Sequence, residues 1–138
     1  MDDVTFAEGL ARELELETRA SRKCLEGIST DKFDWKPHET SLTFYYIALL
    51  VAEIPLWLHS IIKDPDIDFA TYPHFEAKNG DELVKHFEEN VEKAKTALAN
   101  VKNGDLDANF SLKNNGQVVY SASKRENLET TINHMVHH

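Results

Sequence analysis

Apolar residues recur at three- and four-residue intervals along most of this chain, and the breaks in that rhythm mark out four helical stretches. Over Phe6–Ile28, the residues Phe6, Leu10, Leu14, Ser21, Leu25 and Ile28 fall close to one face, while Glu8, Glu13, Glu15 and Arg22 fall mostly elsewhere. That is the stripe of an amphipathic helix. Thr5 and Glu8 stand at capping-box spacing before it, and Gly27 with Ser29 and Thr30 supplies its stop. Asp31–Thr40 (D-K-F-D-W-K-P-H-E-T) reads as a loop, since Pro37 forbids helix there, with Phe33 and Trp35 expected to tuck under the helices. A second helix is expected over Ser41–Lys63, with Ile47, Leu50, Ile54, Trp57 and Ile61 as its core line and Pro55 as a kink. Leu49, Leu56, Leu58 and Ile62 make it apolar nearly all round, which suits a central helix or a subunit interface.

Asp64–Asn79 carries Pro65 and Pro73 and shows no periodicity, so it is expected to be a connection. A third helix over Gly80–Asn100 follows, with Asp81 and Glu82 favouring its positive end and Leu83, Phe87, Val91, Ala94, Leu98 and Val101 as its stripe. Asn103-Gly104 ends that stretch. Phe110–Lys113 and Val118–Tyr120 flank Asn114-Asn115-Gly116-Gln117, and Asn-Gly supplies the positive φ angles of a tight hairpin. Ser123 and Glu126 form a second capping box and open a last helix that runs to His138, with Leu128, Thr131, Met135, His134 and His138 as inward candidates. The fold class this predicts is all-α: a four-helix bundle, antiparallel or crossover, with a short β-hairpin before the last helix.

Composition narrows the functions without choosing one. The 138 residues suit one domain, spanning 1–138. With 15 Lys+Arg against 24 Asp+Glu, the net charge is −9, which repels a phosphate backbone and argues against nucleic acid as a partner. The single cysteine, Cys24, has no internal partner and points to a reducing, cytoplasmic setting, as a small buried hydrophobe. Asp2 and Asp3 stand where a signal peptide would be basic. Leu42–Ile62 is long and apolar enough to raise the question of a membrane span, but Glu53, Pro55 and His59 interrupt it, so a buried helix is the preferred reading.

The candidate chemistry lies in the histidines. His134 and His138 are one turn apart, which sets their Cβ atoms about 5–6 Å apart on one face, where both imidazoles can meet one divalent ion. A catalytic zinc or nickel centre needs about three protein ligands, so another helix would have to supply the rest. The pair alone is a weak signal, and a terminal His137-His138 is also what an affinity-tag remnant would leave. His59 reads as a rim residue, His86 as solvent-facing among Lys85, Glu88 and Glu89, and His74 as a loop residue. Trp35 and Trp57 read as core aromatics that could also line a cavity.

Several segments together resemble the DinB/YfiT-like superfamily. They are Glu17-Thr18-Arg19, the stretch Asp31–Thr43, the A-E-I-P-x-W of Ala52–Trp57, the Asn-Gly turn, and the E-T-T-I-N-H-M-V-H-H that closes the chain. The resemblance covers nearly the whole chain and rests on the order and spacing of motifs that are weak singly. It implies a metal on three histidines, two of them matching His134 and His138. The third would fall in the second helix at Leu50, which cannot ligate a metal; Tyr46 and Glu53, about one turn to either side, are the candidate substitutes. The family's last helix usually runs on, so here it is expected to be cut short. Characterised relatives act on low-molecular-weight thiols such as bacillithiol or mycothiol, where a metal presents the thiolate. The reading that Leu50 favours is a relative with a degraded site, acting as a small-ligand-binding or self-associating bundle and forming a homodimer. The alternative is a divalent-metal-dependent enzyme of thiol S-transferase or hydrolase type, with zinc or nickel on His134 and His138 and a small thiol or electrophile as substrate.

Overall fold

In a computed structural model, residues 1–73 and 75–138 are described, and the loop reading of His74 lies outside them. The chain runs α1 (Asp3–Glu26), a 3-10 turn (Thr30–Lys32), α2 (Phe44–Lys63), β1 (Asp66–Asp68), α3 (Gly80–Ala99), β2 (Asn109–Asn114), β3 (Gln117–Ser123) and α4 (Lys124–His137). All four expected helices and the hairpin are present as elements. The all-α class is not, because β1 pairs in parallel with β2, and β2 pairs antiparallel with β3, giving a three-stranded mixed sheet beside the helices. The molecule is a helix-rich mixture of α and β. β1 escaped the sequence reading because only Ile67 in it is apolar and buried, and three residues are too few to show alternation.

The helices follow their caps. Asp2, not Thr5, caps α1: its Oδ1 accepts the Thr5 amide at 2.7 Å, so the helix starts three residues earlier than the capping-box spacing suggested. Asn79 caps α3 through the Glu82 amide, and all six residues of the expected α3 stripe are buried. Burying Leu83, Phe87 and Leu98 contributes about 1.5–3 kcal/mol each before entropy is counted. α3 also approaches the end of α1 closely. A Cβ on Gly80 would lie 2.7 Å from the Ile28 carbonyl oxygen, so only glycine fits there without a shift.

α2 is central, packing on α3 and α4. Its buried line is Ala48, Val51, Ala52, Ile54, Leu58 and Ile61, with Leu50 and Trp57 only partly covered. The expected line followed the largest side chains. The observed line keeps Ile54 and Ile61 but replaces Ile47, Leu50 and Trp57 with Ala48, Val51, Ala52 and Leu58. Buried Asn90 of α3 donates to the Ala52 carbonyl at 2.9 Å. By length and apolarity α2 could cross a membrane, yet half of its apolar window is buried against the rest of the protein.

Two carboxylates hold the non-helical parts. In the hairpin, Asn115 and Gly116 both have positive φ, 53° and 83°, as a two-residue loop between twisted strands requires. Asp68 at the end of β1 accepts the Asn115 and Gly116 amides at 2.9 and 2.8 Å, pinning that loop to β1. The Ala70 amide above all, with those of Gly116 and Asn115, holds the Asp68 carboxyl below its ordinary value. Near the other end of the chain, buried Asp3 pairs with Arg125 and accepts the amides of Gly104 and Leu106 at 2.9 and 3.0 Å. Arg125 also lies over the Phe6 ring at 4.5 Å. One carboxylate thus ties α1, the α3–β2 loop and α4 together.

The start of α4 is as the capping box predicts for Ser123, whose hydroxyl accepts the Glu126 amide at 3.1 Å. Glu126 instead takes the Tyr120 hydroxyl at 3.0 Å. The buried face of α4 is Asn127, Leu128, Ile132 and Met135; Thr131 and His134 are partly covered and His138 is exposed. In the α1–α2 loop, Phe33 is partly covered and packs on Tyr45 at 4.9 Å, whereas Trp35 stays exposed against the edge of Phe44.

Candidate functional site

The last two turns of α4 bring the histidine pair together as the i, i+4 spacing requires. The two Nε2 atoms are 2.8 Å apart and the ring centroids 4.6 Å. At that distance one imidazole donates and the other accepts, so at least one ring is neutral. Burial pushes the His134 imidazole below its ordinary range, and the neighbouring His138 and His137 add to this.

His134 also lies 5.9 Å from the Trp57 ring, in the wall of a cavity of about 460 Å³. α2 contributes Trp57 and Ile61, β1 and its following turn Ile67 and Phe69, β2 Leu112, β3 Tyr120, and α4 Asn127, Thr130, Thr131 and His134. The wall is mostly apolar because Trp57, Ile61, Ile67, Phe69, Leu112 and Tyr120 supply most of it. Asn127 shapes the sheet side: its Nδ2 donates to the carbonyls of Phe110, Ala122 and Ser123 at 3.0–3.3 Å, holding the hairpin against α4. Sequence reasoning found His134 and Trp57 but missed the cavity, because Ile67, Phe69, Leu112 and Tyr120 reach its wall only through the pairing of β1, β2 and β3.

Among the described residues, the three-ligand metal centre implied by the family resemblance is not assembled. Two nitrogens sharing a tetrahedral zinc at roughly 2.0–2.1 Å stand about 3.3 Å apart, so the His134 and His138 rings would have to part. No group of three His, Cys, Asp or Glu side chains converges among the described residues. Leu50 and both candidate substitutes, Tyr46 and Glu53, line a different cavity from His134.

Glu53 is engaged elsewhere. It is buried, its Oε1 accepts the Phe75 amide at 3.3 Å, and it lies 3.4 Å from Nε2 of His86. That separation is within ion-pair range, but the ring nitrogen is not aligned for a hydrogen bond and is otherwise without a partner among the described residues. His86 is therefore not solvent-facing. Its side chain is 14% exposed and stacks on Phe75 at 3.8 Å with the rings 11° from parallel. The signal for this pair was present, since Glu53 is the one acidic residue in an otherwise apolar helix and must find a partner. His59 is partly covered, and its Nδ1 is buried without a hydrogen-bond partner among the described residues. Cys24 is exposed rather than buried.

A further hollow, about 580 Å³, is a charged trough between α1 and α3. Ion pairs of Arg22 with Glu88 and of Lys95 with Glu15 cross it. Long, solvated side chains of both signs line it, and no preorganised group faces a ligand there. No known family matches this chain, and no curated protein matches it.

Proposed function

We propose that this protein binds a small, largely apolar molecule in the cavity bounded by Trp57, Ile67, Leu112 and His134. The observation that carries this is the pairing of an apolar wall with a few polar groups at one side, Thr130, Thr131 and His134. Its volume of about 460 Å³ falls in the ordinary range for small-molecule sites. A His134 held neutral by partial burial can accept or donate one hydrogen bond to the ligand, which suits recognition without requiring a metal. This is the reading that Leu50 favours over the metal-dependent enzyme.

The uncharged naphthalene dye prodan tests it. Full-length untagged protein is expected to bind one dye per chain, saturably, with a blue-shifted emission. Thr131→Phe, which fills the cavity from α4, is expected to weaken binding at least tenfold while leaving the melting temperature within a few degrees. Unsaturable binding, or binding indifferent to Thr131→Phe, would remove the proposal.

Self-association has its own supporting observation. β3 is an edge strand, and Val118 and Val119 on it are 57% and 61% exposed beside Tyr120. We propose a homodimer formed through this strand rather than through α2. Light scattering is expected to give twice the monomer mass at high concentration and monomer mass for Val118→Lys. A monomer at every concentration would contradict it.

A further inference from the structure

Across Trp57 and Phe69 from the His134 cavity lies a second, smaller one, of about 250 Å³. Tyr46, Leu50, Glu53 and Trp57 of α2 line it together with Phe69 and Tyr72 from the segment after β1. It differs from its neighbour in having a carboxylate in its wall. Glu53 is 7% exposed, and its Oε1 is fixed by the Phe75 amide beside His86. Its Oε2 has no hydrogen-bond partner among the described residues. The Tyr72 hydroxyl does not answer it, being engaged with Ser60 Oγ at 3.3 Å.

A buried carboxylate is costly unless a cation meets it, and the poorly aligned His86 ring meets it only in part. Four aromatic side chains share the cavity with that carboxylate: Tyr46, Trp57, Phe69 and Tyr72. Aromatic faces attract cations through their quadrupoles, and rings grouped with an acid form the cage that selects alkylated ammonium groups. Tyr46 and Phe69 are 47% and 41% exposed, large apolar surfaces at the mouth that a bound ligand would cover. The net charge of −9 also raises the local concentration of small cations. We infer that the Glu53 cavity is a binding site for a small organic cation, an alkylammonium group seated among the four rings with its charge against the Glu53 carboxylate.

The inference is independent of the ligand proposed for the His134 cavity, and the test keeps the two apart. Choline chloride and its uncharged isostere 3,3-dimethyl-1-butanol are titrated into full-length protein at constant ionic strength, followed by NMR. Choline is expected to bind saturably and at least tenfold more tightly than the isostere. Glu53→Gln is expected to erase that preference. Tyr46→Ala, at an exposed position, is expected to weaken choline at least fivefold without altering the fold, which covers the case in which Glu53→Gln fails to fold. Thr131→Phe, in the other cavity, is expected to leave choline binding unchanged. Equal binding of choline and the isostere, no saturable choline binding by folded protein, or indifference to Tyr46→Ala would overturn the inference.

Discussion

Asp3→Ala is expected to lower the unfolding free energy by about 2–4 kcal/mol, measured by urea denaturation at neutral pH. The substitution removes the acceptor for two backbone amides, Gly104 and Leu106, and the counter-charge of Arg125 at once. The upper end for breaking a buried pair is tempered because the Arg125 side chain is 29% exposed and keeps some solvation. The same carboxylate gives stability an acid limb. Burial alone would raise its pKa, but the Leu106 amide, Arg125 and the Gly104 amide outweigh burial and hold it below the ordinary value. A folded-state pKa below the unfolded one, about 3.9, means that the unfolded chain binds the proton more readily. The contribution is therefore complete at neutral pH and is lost as pH falls below about 5 toward the folded-state pKa. Asp3→Asn keeps one acceptor and is expected to cost less than Asp3→Ala while flattening this limb. An acid limb unchanged in Asp3→Asn would show that the stability lost at low pH comes from other carboxylates.

Asn127→Ala is expected to cost about 2–3 kcal/mol and to abolish tight prodan binding. The amide is 2% exposed and donates to carbonyls on both hairpin strands and at the cap of α4. Its loss removes the bonds to the Phe110, Ala122 and Ser123 carbonyls and frees the hairpin from the helix, opening the wall of the His134 cavity. Asn127→Asp is expected to be worse at neutral pH, since a carboxylate would then face the three carbonyl oxygens. Hydrogen exchange separates this from general destabilisation: amides of Ser111, Leu112 and Tyr120 should lose protection in Asn127→Ala before those of α3 do. Uniform loss across the chain would show that Asn127 has no local role.

What could be read from the sequence follows from how far each signal reaches. The α3 stripe was legible because one strong period, an acidic first turn and a capping Asn agree. The hairpin was legible because Asn115-Gly116 answers a local demand for positive φ. β1 was not, because its pairing with β2 spans more than forty positions and leaves only Ile67 as a mark. That one strand changes the fold class, and with it the site. It brings Ile67 and Phe69 opposite α4 and sets Tyr72 near Glu53. On α2 the period was read correctly but assigned to the bulky residues. The structure places Leu50 and Trp57 on cavity walls and buries Ala48, Val51, Ala52 and Leu58 beside Ile54 and Ile61. His134 and His138 do meet, as their spacing requires, yet the ligands that would complete a metal centre do not join them among the described residues. Glu53 was weighed as a substitute ligand from helical spacing alone, and spacing does not reveal that Phe75 and His86 hold it from another direction.

The most direct test of small-molecule binding beside His134 is methyl and indole NMR of the full-length protein during a prodan titration. The account predicts that Ile61, Ile67 and Leu112 methyls and the Trp57 indole shift together along one binding curve, while Leu10, Leu14 and Leu83 in the helical core stay still. Shifts spread over the exposed Leu16, Val118 and Val136, with Ile67 and Leu112 unmoved, would contradict it.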